Sequence, residues 1–200
     1  MRVSLVGVGH WFQPGHVLFK GLDAELTDGC VYGVIGPSGA GKTTLLSLIA
    51  GWYVPREGNI ERYEISHIQW VQQIPFGVAR RTVMDHVALP LIAAGATRRQ
   101  AESEGAQLLA RFKLSGLESS EFCELSGGEA QRLMLARGVA AKPELLLVDE
   151  PTAQLDRHTA AGVNAVLAEL SGEGRIVVVA THDMQTQSMC GSLIDIGSAS

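Results

Sequence analysis

Val31-Tyr32-Gly33-Val34-Ile35, then Gly36-Pro37-Ser38-Gly39-Ala40-Gly41-Lys42-Thr43-Thr44, then Leu45-Leu46-Ser47-Leu48-Ile49-Ala50 is the stretch that decides the fold. Its first five residues form a short apolar run rich in β-branched side chains, which reads as a strand buried on both faces of a parallel sheet. The end of the stretch reads as a helix from Thr43 to Ala50, stopped by Gly51. Between them, Gly36 to Thr43 fits G-x-x-x-x-G-K-[ST], and the strand before and helix after are the context that motif requires. The glycines let successive backbone N–H groups turn inward on an anion, and the helix N-terminus adds partial positive charge. Lys42 is then placed to reach the β- and γ-phosphates of a nucleotide, and the Thr43 hydroxyl to meet Mg²⁺. A glycine-rich turn could hold a lysine by chance. The chain, however, has only four lysines (Lys20, Lys42, Lys113 and Lys142), and one stands at the position the motif demands.

Working outward, Leu145 to Val148 and Ile176 to Ala180 repeat the pattern of a short, doubly buried strand. Gly128 to Ala141, stopping before Pro143, and His158 to Leu170, ending near Gly172, read as helices. Strand and helix in alternation predict an α/β core. The middle is different. Val83 to Ala94 and Arg98 to Phe112 read as helices with no strand between them, the second carrying Ala101, Leu108, Leu109 and Phe112 on one face. One domain over 1–200 is therefore expected, with an α/β core from 1–72 and 126–200 and a helical insertion over 73–125.

Leu145 to Val148 runs into Asp149 and Glu150, two carboxylates at the carboxyl end of a strand, where α/β sheets bind ligands. Adjacent strand residues point apart, so the two acids can divide the work. Asp149 suits Mg²⁺, through water, and Glu150 suits polarising an attacking water as general base. Pro151 fits a turn out of the sheet. Thr181-His182-Asp183 follows the strand Ile176 to Ala180 and brings the imidazole of His182 to the same end, placed to donate a hydrogen bond to the γ-phosphate.

The chain has 200 residues, 46% apolar and 18% charged, which is enough for a sizeable core. Its net charge of −5 and scattered basic residues argue against nucleic-acid binding. Cys30, Cys123 and Cys190 are widely spaced and odd in number, fitting neither a disulfide framework nor a zinc site. Met1 to Phe12 lacks the pattern of a signal peptide, and no apolar run approaches the roughly 18 residues of a membrane helix.

Leu125-Ser126-Gly127-Gly128-Glu129, continuing Ala130-Gln131-Arg132, precedes a helix, with Ser126 as a natural N-cap and two glycines exposing backbone N–H groups. In this order with Gly36 to Thr43 and Asp149-Glu150, it resembles the signature of the ATP-binding cassette family, and the resemblance covers essentially the whole chain. It implies a P-loop NTPase core with a mainly parallel sheet, a reduced antiparallel β subdomain and an inserted α-helical subdomain. It also implies ATP and Mg²⁺ as ligands, and a head-to-tail dimer in which Ser126, Gly127, Gly128 and Glu129 of one cassette cap the γ-phosphate on the other's loop.

Further roles follow from the same resemblance, position by position. Phe12, with Trp11 as alternate, matches the aromatic that stacks on adenine. Gln72, with Gln73 as alternate, matches the glutamine that attends Mg²⁺ and the attacking water. Asp156 in Ala153-Gln154-Leu155-Asp156 matches the loop at the dimer interface, and Thr44 an additional phosphate-contacting hydroxyl. The resemblance implies an ATPase subunit at the cytoplasmic face of a membrane, powering a separate transmembrane permease; a cassette serving cell division or cofactor assembly is the alternative. Glu129 stands where glutamine is commoner, and the short span from Lys42 to Gln72 implies trimmed hairpins. Few residues follow Leu193 to Ile196, which implies shortened terminal elements. Thr82 to Leu91, Gly95 and Glu129 look most like the lipoprotein-release and macrolide-efflux group.

Overall fold

The computed structural model describes residues 1–13 and 15–197. Eight strands and six α-helices follow one another: β1 (Arg2–Trp11), β2 (Val17–Thr27), β3 (Val31–Ile35), α1 (Lys42–Ala50), β4 (Glu57–Tyr63), β5 (Ile68–Val71), α2 (Val83–Ala93), α3 (Arg98–Arg111), α4 (Gly127–Ala140), β6 (Leu145–Asp149), α5 (Arg157–Gly172), β7 (Ile176–Ala180), α6 (Met184–Ser188) and β8 (Ser192–Asp195). A 3₁₀ turn spans Phe122–Glu124 ahead of α4.

The central sheet has the order β5-β6-β7-β3-β8, and all its pairings are parallel. Its two faces are both covered, and the side-chain period of two divides the strands between them. On one face Val31, Leu146, Val148, Val177 and Val179 join Val87, Leu109, Leu133 and Leu167 of the helices. On the other, Tyr32, Val34, Leu145, Leu147, Ile176 and Val178 meet α1 through Leu45, Leu48 and Ile49, and meet Val3, Leu5 and Phe19 of the second sheet. That second sheet is antiparallel and three-stranded, in the order β2-β1-β4. The register of β1 slips against both neighbours between Leu5 and Gly9, which breaks the alternation a strand normally shows. β4 is mostly exposed. These strands therefore lack a clean sequence pattern.

Three helices, α2, α3 and α4, lie between β5 and β6. α2 buries Val83, Val87, Ala88 and Leu91, and α3 buries Ala101, Leu108 and Leu109. Both pack on α4, whose Leu133 and Met134 share one apolar cluster with them and with the central sheet. α4 therefore joins the insertion to the core. Five helices start on a side-chain cap: Thr82, Thr97, Ser126, Asp156 and Asp183 each accept a backbone N–H of the first turn. α1 starts instead on Gly41, whose side is bare, so its first N–H groups have no side-chain partner.

Because Leu133 is fully buried at this junction, Leu133→Ala should cost roughly 2–5 kcal/mol in urea unfolding. Leu89→Ala, on the outer face of α2 and 39% exposed, should stay within about 0.5 kcal/mol of the parent.

Candidate active site at the strand ends

β3, β6 and β7 deliver their carboxyl ends to one edge of the sheet, and the residues that follow line a cleft of about 580 Å³. Phe12, Ser38, Gly39, Gly41, Lys42, Thr43, Thr44, Gln73, Asp149, Glu150 and His182 face it, with Leu18 beside Phe12.

The phosphate loop takes its shape from backbone angles that only glycine adopts freely. Gly41 has φ 101°, and a Cβ there would lie 3.1 Å from the Phe19 ring and 3.2 Å from Leu18. Its conformation turns the chain into α1 and leaves the uncapped N–H groups directed at the cleft. Lys42 folds its ammonium back over the loop, donating to the Gly36 carbonyl at 2.9 Å and the Pro37 carbonyl at 3.1 Å. The Ala40 N–H closes the turn on Pro37 at 3.2 Å. Gly36 and Pro37 line the outer side of the loop with His182.

One residue on, the Thr43 hydroxyl donates to Asp149 Oδ2 at 2.7 Å, joining α1 to the end of β6. Burial pushes the Asp149 carboxyl up, and the neighbouring Glu150 charge adds to this, against the Thr43 hydrogen bond and Lys42. A hydroxyl and a carboxylate oxygen side by side, beside a lysine, form an oxygen donor set of the kind hard divalent cations take.

Glu150 has φ 46°, an unusual angle for a residue with a side chain. It is 6% exposed, and three groups fix it: its N–H donates to the Ala180 carbonyl at 2.8 Å, the Thr181 hydroxyl donates to Oε2 at 3.2 Å, and His182 Nδ1 lies 2.7 Å from Oε1. The His182 side chain is 70% exposed. One ring nitrogen thus holds the acid while the ring opens to the cleft. Beneath the turn, Thr152, Asn164, Asp183 and Thr186 form a buried hydrogen-bonded cluster that supports it.

The structure decides between two pairs of alternatives. Phe12, not Trp11, lines the cleft; it is 57% exposed and stands edge-on to His10 and Tyr53, with ring centroids 5.1 and 6.1 Å away. Gln73, not Gln72, faces the cleft, because β5 ends at Val71 and the chain turns before the second glutamine. Thr181 had no role assigned from sequence, and its signal was only its place directly after β7 and before His182.

Ser126, Gly127, Gly128 and Glu129 do not line this cleft. They form the N-terminus of α4, where Ser126 and Glu129 make a reciprocal capping box. The Ser126 hydroxyl and N–H both donate to Glu129, holding its carboxyl below the usual range. The 153–156 loop packs on them: a Cβ on Gly127 would lie 2.6 Å from Gln154 Oε1, and one on Gly128 3.1 Å from Leu155. Asp156 spends its carboxylate on the α5 cap, bonding the His158 and Thr159 N–H groups and the Thr159 hydroxyl, which draws it down to about 2. The signature and the phosphate loop of one chain are therefore two separate places.

The chain resembles known proteins across nearly its whole length. A family model described as "ABC transporter" matches residues 19–153. The ABC transporter ATP-binding protein Rv0073 of Mycobacterium tuberculosis is 34% identical over 94% of this chain, which spans 62% of that relative. The macrolide export ATP-binding/permease protein MacB of Escherichia coli is 30% identical over 97% of this chain and is about three times longer, the match covering 33% of it. A dimeric post-hydrolysis structure of the ATP-binding cassette MJ0796, bound to ADP and Pi, superimposes with a TM-score of 0.86 over 98% of this chain and 95% of that one, at 26% identity. With about two thirds of its residues inside the family match and relatives at about a third identity, the chain belongs to the ABC transporter family as an ATP-binding cassette.

Proposed function

We propose that this cassette binds Mg-ATP in the cleft, hydrolyses it as one half of a cassette dimer, and powers a separate transmembrane permease. The observation that supports this most directly is the Glu150 carboxylate, held by Thr181 and His182 beside the Thr43–Asp149 pair and across from Lys42.

The residues divide the work by position. Lys42 and the N–H groups at the start of α1 hold the phosphates. Thr43, and Asp149 through water, would hold Mg²⁺, with Gln73 from the far wall; bound there, the ion would supply positive charge against the charge that builds on a transferred phosphoryl group. Glu150 orients water and takes its proton. His182 keeps Glu150 aimed and can donate its other ring N–H to a phosphate oxygen. Phe12, presented at the tip of the β1–β2 hairpin, stacks on the adenine.

A second copy of the chain supplies the cap. In one chain the Ser126–Glu129 turn stands apart from the phosphate loop, so its glycine N–H groups serve a nucleotide only across a dimer interface. MJ0796, the similar cassette, is itself dimeric in its ADP and Pi complex. Among the described residues no helix is long and apolar enough to cross a membrane. A permease partner fits that, and so do the exposed Ile74, Phe76 and Val78 next to Gln73, which make an apolar docking loop. Glu129, the Thr82–Leu91 stretch and the likeness to MacB favour the lipoprotein-release and macrolide-efflux group.

Two measurements test this reading. Glu150→Gln should lower ATP turnover by about 10²–10⁴-fold while leaving ATP affinity near the parent's, and turnover at the parental rate would remove Glu150 as the base. In sedimentation, the same variant should shift from monomer to dimer only with Mg-ATP, because closure persists when hydrolysis stops. Adding Gly128→Asp should abolish that shift without loss of nucleotide binding, since Gly128 lies outside the cleft. A dimer that survives this change would rule out the cross-chain cap.

A further inference from the structure

The segment from Gln73 to Arg81 joins the cleft to α2 and has no regular secondary structure before the turn at Ala79–Arg80. Gln73 faces the cleft at one end, and Ile74, Phe76 and Val78 follow with 75%, 81% and 52% of their surface exposed. A loop that turns three apolar side chains to solvent needs bonds on its backbone to keep one shape.

One of those bonds ends on His86, in the first turns of α2 and 2% exposed. The Val78 N–H donates to its Nε2 at 3.1 Å, and its Nδ1 lies 2.8 Å from the Thr82 carbonyl oxygen. A backbone N–H can only donate and a carbonyl can only accept, so the two partners together select one form of the ring. It is neutral, with its proton on Nδ1. Among the described residues, no other side chain bonds the backbone of 74–80. Around it, the Arg81 N–H reaches the Val78 carbonyl, the Phe122 N–H the Arg81 carbonyl and the Cys123 N–H the Ala79 carbonyl, each at 3.0 Å. The Phe122 ring lies 5.4 Å from the imidazole, and the Gly77 backbone rests on it so closely that a Cβ would come within 2.6 Å.

We propose that His86 is a positioning residue for hydrolysis: its neutral imidazole latches the 73–81 segment, so that Gln73 stays in the cleft while the apolar side chains stay presented outside. A second proton on the ring would set an Nε2–H against the Val78 N–H, donor against donor, and open the latch. The role assigned to Gln73 rests on the proposed function; the latch itself rests on the bonds to Val78 and Thr82.

The groups facing the ring agree with this direction. Burial is the largest influence and holds the His86 pKa below the ordinary imidazole range; Arg137 of α4 and Arg81 of the loop act the same way, against the Thr82 carbonyl and Asp85. Because the folded ring favours the neutral form, the latch is fully closed above the ordinary imidazole pKa. It weakens as pH falls through the depressed one.

The test compares His86→Leu, which has neither nitrogen, with His86→Gln, whose amide can accept from Val78 and donate to Thr82, in the full chain. His86→Leu should speed exchange of the Val78 amide by about tenfold, the scale of one lost hydrogen bond, and lower kcat for ATP with little change in KM. His86→Gln should restore both. In the parent, Val78 protection should fall relative to the core amide of Val178 as pH drops from about 7 to about 5, and His86→Gln should show no such step. Parental Val78 protection in His86→Leu, a glutamine variant no better than leucine, or a pH step that persists in His86→Gln would each overturn the latch. Gln73→Ala is measured alongside: parental turnover there would remove the role of Gln73 and leave the Val78 readout to decide the latch alone.

Discussion

A parallel sheet covered on both faces has nowhere to place polar side chains except at the ends of its strands, and that constraint arranges this molecule. β6 and β7 are buried along all five residues, so their polar groups gather at the carboxyl ends. Asp149 ends β6 and Glu150 follows it, Thr181 and His182 follow β7, and the phosphate loop follows β3. The hydrogen bond from Thr43 to Asp149 is where these ends meet.

Proximity alone would set two carboxylates against each other. Glu150 sits at a left-handed backbone angle, which costs of order 1–3 kcal/mol at a residue with a Cβ, and its charge still pushes the Asp149 carboxyl up. The Ala180 carbonyl, the Thr181 hydroxyl, His182 and the buried Thr152–Asn164–Thr186 cluster hold it there. Asp149 and Glu150 then face different partners, one a hydroxyl on the phosphate-loop helix and the other an imidazole open to the cleft.

The helical insertion supplies what the core lacks. α4 carries the Ser126–Glu129 turn at its N-terminus and, a turn later, the apolar residues that join α2 and α3 to the sheet. The 73–81 segment leaves the cleft and enters α2 over His86 and Phe122. The cleft, the Ser126–Glu129 turn and the exposed apolar loop thus adjoin helices that share one packed apolar cluster.

The sequence alone determined β3, β6 and β7 of the five-stranded central sheet, because short apolar runs such as Val31 to Ile35 and Ile176 to Ala180 have few other stable homes, and their ends carry the phosphate loop and the acids by simple adjacency; the edge strands β5 and β8 were not legible as strands. Helices with strong start and stop signals were equally legible, within a residue or two at each end: α1 begins at Lys42, α4 at Gly127, and α5 runs on to Gly172. The antiparallel sheet of β2, β1 and β4 was not legible from pattern, since the register slips in β1 and the exposure of β4 erase the alternation that marks a strand. The choice of Phe12 over Trp11 and of Gln73 over Gln72 also waited for the tertiary structure. Neighbours in sequence differ there only in the direction the backbone turns them, and that direction is set by a hairpin tip in one case and the end of β5 in the other. His86 shows the same limit: a histidine on a helix acquires its meaning only when folding lays the Val78 N–H across its ring.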